Sequence, residues 1–229
     1  ALKWVALMTM TIDHIAFFMV EQTTTLYTLM RMIGRIAFPL FAYMVAEGYH
    51  HTTDKKRNLM RLLGLALVVE IMLFAIFSMG GPNYTLLFWL PNHVVRMNIL
   101  PTLAAGLLLI MIYHSNHRYR GLLLLFTIGV SYFLSYSVYG VVLIAIFGVV
   151  RVKEDQVKAF MGITLLYSII NMWIPFDGYQ GFNAAQMISI AAAMFIYLYN
   201  GEKGRFKLKF FYAYYPAHLL ILYLISQAI

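Results

Sequence analysis

Asp13 and His14 are the residues around which any chemistry of this chain must be argued. They stand side by side in an otherwise apolar stretch, residues 5–20, which is long enough to be read as a membrane-spanning helix. A titratable group at the centre of such a helix costs several kcal/mol unless a partner or a hydrated cavity offsets it. Further ionisable groups fall at comparable depth in later apolar stretches. Counting about 1.5 Å per residue from the basic ends puts His14 about 16 Å and His218 about 12 Å inside, with Glu70 near the depth of His14 and Arg35 slightly further out. Four helices carrying such groups in one slab predict an interior, hydrated meeting point rather than exposure to lipid. A neutral histidine there can serve as general base or as nucleophile. The alternative is that Asp13 and Glu70 are purely structural polar clasps.

Adjacent helical residues do not face each other, so Asp13 is not expected to orient His14. Arg35 is its expected partner, while Arg31, one turn earlier on the same face, is read as an outer-surface residue. Arg57 and Arg61 repeat the four-residue spacing beside Lys55 and Lys56. That basic group suits the phosphates of a ligand arriving from the cytoplasm; it serves equally as a topology anchor snorkelling to the interface. His50, His51, His114 and His117 fall in polar loops and complete no metal-ligand set, so no metal site is expected. The absence of cysteine excludes disulfides and thiol catalysis.

These residues need a scaffold, and composition identifies it. Of 229 residues 62% are apolar and 11% charged, against about a quarter charged in soluble domains, and mean hydropathy is +0.76. The expected fold is all-α: one polytopic integral membrane bundle over residues 1–229, with lipid covering the excess apolar surface. Long unbroken apolar runs argue against a β-barrel, whose strands alternate. About nine spans are expected, near residues 2–20, 27–48, 59–79, 98–113, two within 122–150, 159–175, 184–200 and 210–229. The breaker cluster at 80–84 precedes an interrupted segment, 86–97, read as interfacial or re-entrant. The uncharged run 122–150 is too long for one crossing. A turn near Ser135-Tyr136-Ser137 makes it a hairpin and keeps the flanking basic loops on one side. Twelve of the 17 Lys and Arg residues then lie in four loops on that side, which makes it cytoplasmic and puts the N-terminus there too. The first span, with only Lys3 ahead of it and no small-residue cleavage site, is not expected to be a removable signal peptide. The net charge of +8 is thus a topology signal, and nucleic acid is not an expected partner.

Several stretches resemble the TraX family of membrane acetyltransferases. They are Ile12-Asp13-His14-Ile15, Gly34-Arg35-Ile36-Ala37-Phe38-Pro39-Leu40-Phe41, Asn98-Ile99-Leu100, Ser137-Val138-Tyr139-Gly140 and Tyr212-Ala213-Tyr214-Tyr215-Pro216-Ala217-His218-Leu219. They occur in the expected order along nearly the whole chain. The resemblance implies a multi-pass protein of the bacterial inner membrane that moves an acetyl group from acetyl-CoA to an amine or hydroxyl. The best-known member acts on the N-terminus of a conjugative pilin. The acceptor here is left open as a peptide, glycan or lipid-linked group. By this resemblance His14 is the catalytic base or acyl acceptor, and Arg57 with Arg61, helped by Lys55 and Lys56, holds the CoA phosphates. Arg35, Asn98 or Tyr212 is expected to stabilise the oxyanion, His218 to orient the acceptor or relay a proton, and Glu70 to balance buried positive charge. A proton- or anion-coupled transporter would also place Asp, Glu, His and Arg at mid-membrane, and is the rival reading.

Overall fold

A computed structural model describes residues 2–78, 98–173, 184–202 and 208–228. Among these residues the secondary structure is entirely helical: α1 (Leu2–Met19), α2 (Thr25–Gly34), α3 (Ala37–His51), α4 (Lys55–Ser78), α5 (Leu100–Tyr113), α6 (Arg120–Ser131), α7 (Ser137–Val149), α8 (Lys153–Trp173), α9 (Ala184–Met187), a 3-10 turn (Ile188–Ala191), α10 (Ala192–Tyr197) and α11 (Leu208–Ser226). The segment 86–97, read above as re-entrant, lies outside the described residues.

Local sequence explains the boundaries. The Thr24 hydroxyl accepts from the Tyr27 amide to start α2, and Asp54 does the same for Arg57 at the head of α4. Pro101 sits in the first turn of α5, where its missing N–H costs nothing. Thr9 and Thr11 donate back to the carbonyls of Val5 and Leu7, which satisfies their hydroxyls inside an apolar helix. Pro216 within α11 cannot donate to the Tyr212 carbonyl, loosening that helix two residues before His218.

Among the described residues three helical stretches are long and apolar enough to cross a membrane: Leu2–Met19, Thr25–His51 and Lys55–Ile76. The expectation of about nine full crossings is refined accordingly. Apolar helices of 12 to 14 residues, α5, α6 and α7, measure only about 18–21 Å, short of a hydrocarbon layer of about 30 Å. Composition reports apolarity but not where a helix stops. The hairpin in the uncharged run is present as expected, turning between α6 and α7 at residues 132–136. The expected second span is present as α2 and α3, which join at Arg35 and Ile36 with the backbone still helical, and the expected eighth span is interrupted by the 3-10 turn. His50 and His51, expected in a loop, close the last turn of α3.

The core forms where α5 packs on α7 and α3, with α1, α4, α8 and α11 around it. Gly106 allows α5 and α7 their close approach: a Cβ there would lie 2.5 Å from the Ile144 Cδ1. The outer surface is apolar as well, with Leu125 and Phe126 of α6 each 69% exposed. An apolar surface of this extent needs lipid to cover it.

Candidate active site

His14 and His218 meet inside the bundle although 204 positions separate them in sequence, Nδ1 of the first lying 2.7 Å from Nε2 of the second. Both are buried, 8% and 6% exposed. The wider hydrogen-bond chain fixes which nitrogen carries which proton. His218 Nδ1 lies 2.9 Å from the Tyr214 carbonyl, which can only accept, so this nitrogen holds the hydrogen. The Nε2 of neutral His218 is then an acceptor, and His14 Nδ1 must donate to it. The Nε2 of neutral His14 therefore carries a lone pair. His14 is a base oriented by a second ring, the arrangement general-base catalysis requires. The Tyr214 ring stacks on His218 at 5.0 Å and 11°. Its hydroxyl lies 2.6 Å from that of Thr11, whose own hydrogen goes to the Leu7 carbonyl, so Tyr214 is the donor. Four residues of α1 and α11 thus hold one imidazole in one tautomer.

Asp13 points elsewhere, as helical spacing requires. Its partner is not the expected Arg35 but Arg31, which donates from Nη1 to Oδ2 at 2.5 Å. Arg31 stays on the face against α1, whereas Arg35, at the junction of α2 and α3 and still helical in its backbone, bonds the Tyr136 hydroxyl, close enough for its charge to act on Asp13. Arg31 and Asp13, 15% and 18% exposed at their side chains, are an interior pair; Arg31 is not an outer-surface residue.

Gly34 lets α2 lie directly on the Asp13 carboxylate, because a Cβ at that position would coincide with Asp13 side-chain atoms. Gly34→Ala must push the carboxylate away from Arg31. It should lower the thermal unfolding temperature in detergent and reduce any activity that depends on α1. An unchanged melt would reject this packing.

Glu70 and Asn98 form a neighbouring clamp. The Asn98 amide donates to the Ala66 carbonyl at 2.9 Å and to Glu70 Oε2 at 3.0 Å, while its side-chain oxygen accepts from the Leu100 amide at 3.2 Å. Both amide hydrogens are engaged, and Asn98 ties α4 to the start of α5. Tyr215 joins this clamp to the histidines: its hydroxyl accepts from the Ile99 amide at 3.4 Å, and its ring lies 5.6 Å from that of His218. Tyr212 lies on another side of α11, where the Arg61 charge reaches its hydroxyl.

Lys55, Lys56, Arg57 and Arg61 are exposed at the head of α4, with the Lys55 ammonium 4.1 Å over the Tyr49 ring. At about 1.5 Å per residue, His14 lies about 16 Å along α1 from Lys3. Among the described residues no group of three or more His, Asp or Glu side chains is placed to hold a metal ion.

Thr11, Tyr136 and Tyr214 join the site without having been given a role by sequence, and Arg31 joins it against the expectation of an outer position. Two were within reach of spacing: Thr11 is three residues before His14 and Tyr214 four before His218, so each shares a helical face with its histidine.

Comparison with known proteins agrees with the residue-level resemblance. The chain matches the family model described as TraX protein over residues 1–226. It is 24% identical over 246 residues to a probable fimbrial assembly protein FimC, serogroup H1, of Dichelobacter nodosus, covering 96% of this chain and 92% of that relative. No solved structure matches.

Proposed function

The chain belongs to the TraX family, and from that premise we propose that it is a multi-pass acetyltransferase of the bacterial inner membrane. It takes the acetyl group of acetyl-CoA and passes it to an amine or hydroxyl of a membrane-associated or exported acceptor. The observation that carries this reading is the buried pair His14–His218 at 2.7 Å, oriented so that His14 Nε2 is basic. Such a base lifts the proton of an attacking amine or hydroxyl and is worth about 10²–10⁴ in rate. A relative named for fimbrial assembly supports the free N-terminal amine of an exported fimbrial subunit as acceptor.

The donor enters from the basic end. Its phosphates bind Arg57 and Arg61 with Lys55 and Lys56, and the pantetheine arm reaches up the bundle to bring the thioester to His14. Arg35 balances the charge that develops on the carbonyl oxygen.

The test is CoA release by purified protein given acetyl-CoA and a short peptide with a free α-amine, alongside uptake by reconstituted vesicles. Peptide-dependent CoA release is the expected result; uptake without release would sink the enzyme reading in favour of transport. Replacing Arg57 and Arg61 together with alanine is expected to raise the KM for acetyl-CoA at least tenfold and leave the KM for the peptide nearly unchanged. Equal shifts in both would reduce the pair to topology anchors.

A further inference from the structure

The turn between α6 and α7 places an unusual tyrosine against Arg35, within reach of the Asp13 and Arg31 charges. Tyr136 has φ 61° and Ser137 φ 48°, two consecutive non-glycine residues in the left-handed region, which costs roughly 1–3 kcal/mol for each. Such a turn persists only where its surroundings over-determine it, and here they do. The Tyr136 ring stacks on Phe38 with centroids 3.8 Å apart and planes at 9°. Its carbonyl accepts from the Gly140 amide at 2.8 Å and the Leu134 carbonyl from the Ser137 amide at 2.9 Å. Thr102 donates to the Ser135 carbonyl, and the Ser135 hydroxyl donates to the Asn98 carbonyl at 2.9 Å. A Cβ at Gly140 would fall 2.7 Å from the Tyr136 Cβ, so that glycine makes room for the strained residue.

All of this aims one hydroxyl. The Tyr136 phenol bonds the side chain of Arg35, and the charges of Asp13 and Arg31 also reach it. A guanidinium has only hydrogens to offer, so Arg35 donates and the phenol oxygen accepts. The phenol's own proton is thereby directed away from Arg35, and a hydroxyl whose oxygen already accepts from a cation is a strengthened donor. Tyr136 as a residue is half-buried, and its phenol end points inward to the Arg35 side chain.

We propose that Tyr136 is a catalytic residue of the acetyl transfer, its hydroxyl donating a hydrogen bond to the oxyanion that forms on the thioester carbonyl. The inference rests on the acetyltransferase reading. In the step, the lone pair of the acceptor nitrogen or oxygen forms a bond to the acetyl carbon, and the carbonyl π electrons move onto oxygen. Tyr136, with Arg35 behind it, bonds that oxygen while His14 Nε2 takes the acceptor proton. Collapse re-forms the carbonyl and breaks the carbon–sulfur bond, and the proton passes from His14 to the CoA thiolate. Strain at Tyr136 is then the cost of holding a donor in place before the charge appears, the condition under which oxyanion stabilisation is largest.

Tyr136→Phe removes the hydroxyl and keeps the stack on Phe38, so the turn is preserved. Peptide-dependent CoA release by the variant should fall in kcat by about 10²–10³-fold, the effect of losing one oxyanion donor. Its KM for acetyl-CoA should stay within about threefold, and its acetyl-CoA affinity by calorimetry should match the wild type. An unchanged kcat overturns the assignment, and so does a loss matched by lost acetyl-CoA binding, which marks a packing role. Wild-type protein without CoA release fails the acetyltransferase reading instead, and that control is read first.

Discussion

His14→Ala is expected to abolish acetyl transfer, lowering kcat by at least 10²–10⁴-fold, the usual worth of a positioned general base. The protein should remain folded, because the helix around residue 14 is anchored independently by apolar packing of Ala6, Leu7, Met10 and Ala16. Its cost in stability comes from His218, whose Nε2 loses the donor at 2.7 Å, worth about 1–3 kcal/mol for a buried group left unsatisfied. A second substitution separates base from orienting partner. In His218→Gln the side-chain oxygen can still accept from His14 Nδ1, so part of the rate survives. His218→Leu offers no acceptor, frees the His14 ring to take either tautomer, and should fall close to His14→Ala. Measured as peptide-dependent CoA release, the expected order is wild type, His218→Gln, His218→Leu, His14→Ala. Near-wild-type turnover by His14→Ala rejects the site. Equal rates for the two His218 variants reject the tautomer assignment while leaving His14 as base.

The sequence revealed the depth of the site much better than its pairings. Apolar run lengths locate His14, Glu70 and His218 along their helices, because rise per residue is fixed by backbone geometry whatever the neighbours do. The α6–α7 hairpin was legible for a similar reason: 29 uncharged residues exceed one crossing, and the flanking positive charges require an even number. Which side chains touch is a different matter. The contact between His14 and His218 depends on how α1 packs on α11, and no local pattern encodes that packing. Arg31 and Arg35 have the spacing of one helical face, and that spacing does not say which of the two bonds Asp13 and which bonds Tyr136. Gly34 and Pro39 signal irregularity in that region without saying where the junction falls. Tyr136 was hidden among 17 tyrosines; its left-handed backbone comes from the tertiary contacts of the turn, since the local sequence offers no glycine there.

The pairing of Asp13 with Arg31 leads to the largest expected effect on stability. Both side chains are less than a fifth exposed, and removing one partner of such a pair leaves a buried charge with nothing to offset it, a loss of about 3–5 kcal/mol. Arg31→Met is expected to lose stability toward the lower end of that range, because Arg35 stays near enough to act on Asp13. Asp13→Leu should lose more: it removes the carboxylate on which both the Arg31 and Arg35 charges act. The double variant removes the charge from both positions and should be more stable than either single one, since apolar replacement of a whole ion pair is often close to neutral. Thermal unfolding of the four proteins in one detergent measures the coupling directly. Additive losses would mean that the two residues do not pair in the membrane. Activity divides differently from stability in this cycle. His14 takes its orientation from His218 and not from Asp13, so a folded double variant should keep measurable CoA release, whereas His14→Ala should have none at any level of stability.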